Sequence, residues 1–271
     1  MRIGAAIGIW AALAMGPAAA REPVPACTGE ARQDHLVGIT AEGDLMLGSE
    51  RLARLSGIRL PDDSSHRQQA LDWLKAHIGQ PLLVTVQGHR DRWNRQLLRA
   101  RLDQAQRLDL GHGLVEAGLG IVDSGADPVF CQPELFAFEE TARARRLGLW
   151  ADGRYNPIRV DQAERLKERV GSFVIVEGRV RSIGERKQRT YLNFGGHWAE
   201  DFTIIIPRKT WMRMAERGLS AASLKGSTVR ARGILQSWQG TALTIELPEM
   251  IERLEGGDLQ GDRGEDKRLA R

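Results

Sequence analysis

Two arginines interrupt one short apolar stretch, and two aspartates follow it. Arg54 and Arg59 lie within residues 52–60, and Asp62 and Asp63 come just after its end. A guanidinium removed from water requires an anionic partner, because burying an unpaired charge is strongly unfavourable. Its planar fork binds two oxygens of a phosphate or a carboxylate at once. The stretch therefore predicts an anion-binding site, with a buried ion pair to an aspartate such as Asp44 as the alternative.

A second concentration of positive charge follows, with one aromatic ring in it. Residues 89–95 read His-Arg-Asp-Arg-Trp-Asn-Arg, and Arg95, Arg99 and Arg101 alternate into the strand predicted after them. Alternate residues of a strand lie on one face. Basic side chains beside a stacking ring are typical of single-stranded nucleic-acid binding, and an ordinary charged hairpin is the alternative. The candidate contacts are Arg92, Trp93, Arg95, Arg99 and Arg101.

The overall composition is that of a globular protein with room for two domains. Charged residues make up 27% of the 271 and hydrophobic residues 42%, which excludes the disordered and fibrous classes. The net charge of +4 and the pI of about 9.4 permit a polyanionic partner without establishing one.

The first twenty residues have the pattern of a secretory signal peptide. Arg2 precedes the apolar run Ile3–Met15, and Ala18–Ala20 is a small-residue cleavage site. The run is short for a membrane span, and no other stretch suggests one. We expect a mature chain that begins near Arg21 in the periplasm or outside the cell. A loose lipobox before Cys27 makes a lipoprotein the alternative.

The chain contains two cysteines, Cys27 and Cys131. In an oxidising compartment an even pair is expected to form a disulfide. Closing a loop of about a hundred residues would raise the free energy of unfolding by roughly 4–5 kcal/mol. Two unpaired thiols are the alternative.

Hydrophobic periodicity divides the chain into two β-rich units. In residues 36–150, strands precede helices, which predicts a small α+β barrel. The first helix is expected to begin at Ser65, with Gln68 completing a capping box. The predicted strands are Leu36–Ile39, Asp44–Leu47, Leu52–Ile58, Leu82–Val86 and Leu97–Leu102, and the later helices are Leu114–Leu119 and one from Pro133 to Gly148.

The second unit is predicted over residues 161–254, after a polar linker at 151–160. Five strands with a helix between the third and the fourth are the OB-fold arrangement. Residues 21–35 form an N-terminal segment, and 255–271 have the composition of a disordered tail. The strands are Phe173–Val180, Thr190–Phe194, Phe202–Ile206, Val229–Leu235 and Ala242–Leu247, and the helix is Leu219–Leu224.

Residues 36–150 resemble the staphylococcal nuclease (thermonuclease-like) family. The order and spacing of Glu42-Gly-Asp44, Arg54 to Asp62, Asp91–Arg95, Leu114–Leu119 and Gly148-Leu-Trp150 carry the resemblance. It implies a staphylococcal-nuclease-type OB barrel with three helices. The second unit is similar to the OB-like domain appended to some bacterial relatives. The expected fold class is therefore α+β, mostly β, with two OB-like barrels.

The resemblance also implies chemistry, because members of the family cleave phosphodiesters with one Ca²⁺. By position, Asp44 matches a metal carboxylate, and Arg54 and Arg95 match the two arginines that clamp the phosphate. Asp62 lies where the catalytic glutamate is expected, and its side chain is one methylene shorter than that of glutamate. Leu60 would supply a metal-binding carbonyl oxygen.

Arg59 departs from that pattern, because it falls where the second metal carboxylate belongs. Ca²⁺ takes six to eight oxygen ligands, and a guanidinium about 4 Å from it would be repelled by roughly 8 kcal/mol. Asp63 would replace the lost oxygen only if the strand end shifted by one residue. We therefore expect a divergent site that binds nucleic acid or another phosphate-bearing polyanion. An active Ca²⁺-dependent nuclease on DNA or RNA and a cell-envelope protein-interaction scaffold are the alternatives.

Overall fold

A computed structural model describes residues 27–49, 51–103, 108–196 and 201–254. The predicted signal peptide and C-terminal tail lie outside these residues. A disulfide joins Cys27 to Cys131 across 104 positions of sequence, as predicted. None of the helices in the described ranges is long and apolar enough to cross a membrane.

Residues 27–151, here called the barrel region, contain seven strands and three helices in their described parts. Five of the strands close into a barrel in the order β1-β2-β3-β6-β5, and β4 and β7 form a separate two-stranded ribbon. A 3-10 turn at Gly148–Ala151 ends the region. The elements are β1 (Ala31–Ile39), β2 (Leu45–Leu47), β3 (Leu52–Leu55), β4 (Ile58–Arg59), α1 (Ser64–Lys75), β5 (Pro81–Val86), β6 (Gln96–Leu102), α2 (Leu110–Glu116), β7 (Ile121–Val122) and α3 (Leu135–Ala144).

The strand predicted over Leu52–Ile58 is two strands, because the chain turns at Gly57. This residue has a φ of +73°, which favours glycine. A Cβ there would lie 2.8 Å from the ring of Phe130. The turn leaves Arg54 in the barrel and places Arg59 in the ribbon, where it pairs with Ile121 of β7.

The start of α1 also differs from the prediction. Asp63, not Ser65, is the N-cap, and its carboxylate accepts hydrogen bonds from the backbone amides of Ser65 and His66 at 3.1 and 3.2 Å. Gln68 instead donates to Asp72. Aspartate is as good an N-cap as serine. The helix therefore begins directly after Asp63, which is the earlier of the two possible caps.

The described parts of residues 158–254, here called the C-terminal region, form two sheets and several short helices. One sheet has the order β10-β11-β12-β15-β14, with β12 and β15 parallel, and the other has the order β16-β13-β9-β8. The elements are β8 (Ile158–Arg159), α4 (Ala163–Glu168), β9 (Phe173–Arg179), β10 (Ser182–Glu185), β11 (Arg189–Asn193), β12 (Thr203–Pro207), α5 (Arg208–Glu216), α6 (Ala221–Leu224), β13 (Thr228–Ile234), β14 (Gln236–Ser237), β15 (Thr241–Thr244) and β16 (Ile251–Leu254).

The five strands predicted for this region are present as β9, β11, β12, β13 and β15, each within three residues of its expected ends. The helical segment between the third and the fourth is present as α5 and α6. The stretch predicted as a linker contains β8, which pairs in parallel with β9 and buries Ile158. The C-terminal end of residues 151–160 is therefore part of a sheet, not of a linker.

Buried ion pairs join the two regions. Arg232 of β13 is 1% exposed and donates to Glu139 of α3 at 2.8 Å, to Glu252 at 2.8 Å and to the carbonyl oxygen of Val122 at 3.0 Å. Burial lowers the pKa of Arg232, but the carboxylates of Glu139 and Glu252 raise it by more. The side chain therefore stays charged, and a continuous apolar core extends through both regions.

Candidate functional site

A cavity of about 180 Å³ opens where the turn before β2, strands β3 and β4, and the start of α1 approach one another. It brings together residues that lie as far apart in the sequence as Glu42 and Asp123. Four guanidinium groups line it, and so do four carboxylates. These residues are Arg54, Arg59, Arg67, Arg95, Glu42, Asp44, Asp62 and Asp123.

Arg95 is held between two aspartates. Its Nη1 donates to both oxygens of Asp44 at 3.0 and 3.2 Å, and its Nε and Nη2 contact Asp91 at 2.8 and 2.7 Å. Burial lowers the pKa of Arg95, and the two carboxylates raise it by more. Burial raises the pKa of Asp91, but hydrogen bonds from the side chain and backbone of Arg95 bring it below its ordinary value. All three nitrogens of this guanidinium are therefore engaged within the protein.

Arg54 has a buried partner that the sequence did not reveal. Its Nη2 donates to Asp127, which is 3% exposed and also accepts from Ser56 Oγ at 2.7 Å and from the Gly57 amide at 2.8 Å. The Arg54 side chain is 22% exposed. Its Nη1 has no hydrogen-bond partner among the described residues, so this arginine of the cavity lining keeps one unused donor group.

Arg59 has a similar arrangement with a different aspartate. Its Nε and Nη2 both lie 2.9 Å from Oδ2 of Asp123, and its guanidinium carbon lies 4.8 Å from the centre of the Phe173 ring. The side chain is 32% exposed. Within the described part of the chain, its Nη1 has no hydrogen-bond partner either.

The two aspartates after the strand occupy different places. Asp62 lines the cavity, is 66% exposed and lies 3.7 Å from Arg67. Asp63 does not line the cavity, because its carboxylate caps α1 and also contacts Arg154 at 3.3 Å. Hydrogen bonds from the backbone and side chain of His66 lower its pKa to about 2. Asp63 is therefore not placed to supply the metal oxygen considered above.

The predicted basic surface is only partly assembled. Trp93 is 59% exposed, with the guanidinium carbons of Arg92 and Arg95 at 3.9 and 4.9 Å from its ring centre. Arg99 instead pairs with Asp109 and, at 3.2 Å, with Glu134.

Arg99 and Arg101 do not line the cavity. They lie within β6, whereas Arg95 lies in the turn before it, so the alternation predicted for the three does not hold. The groove predicted from them is therefore reduced to the hairpin around Trp93.

The side chains at the cavity do not fit Ca²⁺. Among the described residues, no three His, Cys, Asp or Glu side chains converge as metal ligands do. Both oxygens of Asp44 accept hydrogen bonds from Arg95, and Arg59 brings a fixed positive charge to the same cavity. A calcium site requires several oxygen ligands, and a cation close to it repels the ion.

The partner aspartates are the functional residues that sequence reasoning missed. Asp123 and Asp127 lie 64 and 73 positions beyond the arginines they contact. They belong to the irregular segment after β7, and no periodic pattern marks it. Their separate pairing with Arg54 and Arg59 is a product of the tertiary fold.

Comparison with known proteins supports the assignment of the barrel region. No curated protein matches the chain at a significant level. A family model described as staphylococcal nuclease homologue matches residues 53–152, from β3 to just beyond the 3-10 turn after α3. The match begins after Asp44 and does not extend into the C-terminal region. Residues 53–152 of this chain are therefore a domain of the staphylococcal nuclease homologue family.

Proposed function

We propose that the cavity binds a phosphate group of a nucleic acid or another phosphate-bearing polyanion, without Ca²⁺-dependent hydrolysis. The family domain supports a nuclease-like or nucleic-acid-binding role. The observation that carries the proposal is that Arg54 and Arg59 line one open cavity while the Nη1 of each has no hydrogen-bond partner among the described residues. Guanidinium donors bind phosphate oxygens strongly, because these hydrogen bonds are charge-assisted.

The carboxylates that pair with the arginines hold the guanidinium groups of the cavity in place. Asp123, Asp127 and Asp44 each neutralise one arginine, so that the cavity is not a region of unopposed positive charge. A ligand that approaches it gains hydrogen bonds from donors that the protein already holds in place. A Ca²⁺ ion would have to displace Arg95 from Asp44 and withstand repulsion from Arg59.

The hairpin before β6 supports a polynucleotide rather than a free phosphate. The exposed Trp93 ring is available for stacking with a base, which is worth about 1–3 kcal/mol per base in single-strand binding proteins. Arg95 contacts both this ring and Asp44 of the cavity, so the ring and the phosphate donors are adjacent.

A Ca²⁺-dependent nuclease is the second candidate, and Asp62 favours it. This carboxylate is exposed and lines the cavity, at the position where the family resemblance places the group beside the attacking water. Its presence calls for direct measurement of cleavage as well as binding.

We also propose that the protein is exported to the periplasm or secreted. The signal-peptide pattern of residues 1–20 supports this, and so does the Cys27–Cys131 disulfide, since such bonds persist in oxidising compartments. Fractionation of cells that express the full chain tests it. Recovery of the protein only from the cytosol would contradict it.

The binding proposal is tested with a fluorescently labelled short single-stranded oligonucleotide, titrated in EDTA. Arg59→Gln removes one of the two donor groups and should weaken binding by about tenfold. Arg99→Gln is the matched control, since it also removes an arginine that pairs with an aspartate, but one that does not line the cavity. Equal affinities of the two variants, or no binding by the unaltered protein, would overturn the proposal.

A further inference from the structure

Arg59 is held by residues from two distant parts of the chain. Asp123 of the barrel region occupies its Nε and Nη2, and Phe173 of the C-terminal region covers one face of its guanidinium at 4.8 Å. Phe173 is the first residue of β9 and is 7% exposed. It lies beyond residues 53–152, which the family model matches.

This arrangement leaves Arg59 one unoccupied donor edge. An aromatic ring stabilises a guanidinium through its flat face and takes no N–H donor. Asp123 takes the donors on one side, and Nη1 remains. An arginine side chain that is already fixed loses less rotamer entropy when it binds a ligand.

The ring itself is rigidly placed. Phe173 pairs with Ile234 of β13 and packs in a buried apolar cluster with Ile121, Leu149 and Trp150 of the barrel region. The Phe173 ring is therefore fixed both by its own sheet and by the barrel region, which carries Arg59.

The C-terminal region also fixes the segment that carries Asp123. Arg232 donates to the carbonyl oxygen of Val122 at 3.0 Å, immediately before Asp123. Ser124, immediately after it, donates through its hydroxyl to the carbonyl oxygen of Glu249 at 2.9 Å. Both contacts that hold Arg59 therefore depend on the C-terminal region.

We infer that the C-terminal region is part of the phosphate site, with Phe173 as a positioning residue for Arg59. The inference rests on the proposed function and extends it, because it assigns to residues outside the family domain a role in binding the phosphate. The ring does not contact the ligand. It acts by holding the guanidinium of Arg59, which contacts the ligand.

Phe173→Leu is the variant that tests this role, because it keeps an apolar side chain and removes the ring. The affinity of the full chain for the labelled oligonucleotide in EDTA should fall about three- to fivefold, the range of a partly exposed cation–π contact. Phe173→Tyr keeps the ring and should restore the affinity. Phe173→Met, whose flexible side chain fills irregular gaps, replaces the Leu variant if that variant does not fold.

Phe202→Leu is the matched control. Phe202 is also a buried phenylalanine of the C-terminal region, but its ring packs against Phe194 at 5.3 Å, and neither residue lines the cavity. This variant should lower the melting temperature and leave the oligonucleotide affinity unchanged.

A double-mutant cycle separates positioning from a general effect on structure. In an Arg59→Gln background, Phe173→Leu should cause no further loss of affinity, because the residue through which it acts is gone. An equal loss in both backgrounds, or no loss in either, would overturn the inference while the unaltered protein still bound the oligonucleotide. If the unaltered protein did not bind, the proposed function would fail, and this inference with it.

Discussion

Arg59 and Asp123 form an ion pair in which two guanidinium nitrogens lie 2.9 Å from one carboxylate oxygen. The pair joins β4 to the segment after β7 and lies at the edge of the cavity. Arg59 is therefore accommodated by the fold as a paired cation, at the position where the family resemblance expects a metal carboxylate. The ion pair holds Arg59 at the cavity, and the proposed anion site depends on the Nη1 donor that the pair leaves unused.

Asp127 is expected to be important for stability. Its carboxylate accepts hydrogen bonds from Arg54, Ser56 and Gly57, and all three would lose a partner in Asp127→Ala. Removal of one partner of a buried ion pair is expected to lower the free energy of unfolding by about 3–5 kcal/mol. Urea denaturation measures this. Asp62→Ala, at an exposed carboxylate, is the control and should change stability by less than about 0.5 kcal/mol. A loss at Asp127 as small as that of the control would show that the pair is not stabilising.

Arg232 is expected to be the most sensitive contact between the two regions. Arg232→Met leaves the buried Glu139 with only Arg143, at 3.8 Å, as a neighbouring cation, which should destabilise the protein by about 3–5 kcal/mol. Adding Glu139→Gln removes this poorly paired charge and should recover part of the loss. Thermal denaturation of the single and double variants gives the comparison. If the double variant were less stable than the single one, the loss would have another cause.

The pH dependence of stability should include a contribution from Asp63. Its pKa is about 2 in the folded protein, below its ordinary value of 3.8. Between these two values the unfolded chain binds more protons, so stability falls as the pH is lowered from about 4 to 2.

Asp63→Asn removes this titration and keeps an N-cap acceptor. The difference in the free energy of unfolding between the unaltered protein and this variant should therefore be constant above pH 4 and shrink toward pH 2. Urea denaturation at a series of pH values measures it. A difference that stays constant down to pH 2 would contradict the assigned pKa.

Reduction of the Cys27–Cys131 disulfide should destabilise the fold. The bond closes a loop across 104 positions, for which the chain-entropy estimate is about 4–5 kcal/mol. Urea denaturation with and without a reductant measures the effect. The Cys27→Ala/Cys131→Ala double variant is the control, because a reductant should not alter its stability. A reductant that left the unaltered protein equally stable would contradict the prediction.

Hydrophobic periodicity predicted the strands of the barrel apart from the break at Gly57, and the family resemblance placed Arg54, Arg59 and Arg95 at one site. They failed where a contact depends on distant residues. Nothing in the sequence near Arg54 or Arg59 identifies Asp127 or Asp123, because the irregular segment that carries them has no periodicity.

Other predictions were wrong because the same sequence pattern fits more than one structure. Arg99 and Arg101 share the alternation expected of a basic strand, yet Arg99 pairs with Asp109. Asp63 and Ser65 are both good N-caps, and only the path of the chain from β4 selects Asp63. The turn at Gly57 divides what periodicity alone predicts as one strand.

The most direct test of the central claim compares the purified protein in EDTA and in Ca²⁺. The affinity for a labelled single-stranded oligonucleotide and the integrity of that oligonucleotide are measured in the same samples. If the phosphate is bound by Arg54 and Arg59 without a metal, the affinity should be equal in both conditions, and the oligonucleotide should remain intact. Cleavage that requires Ca²⁺ and is lost in Arg95→Ala, or binding that appears only with Ca²⁺, would contradict the account.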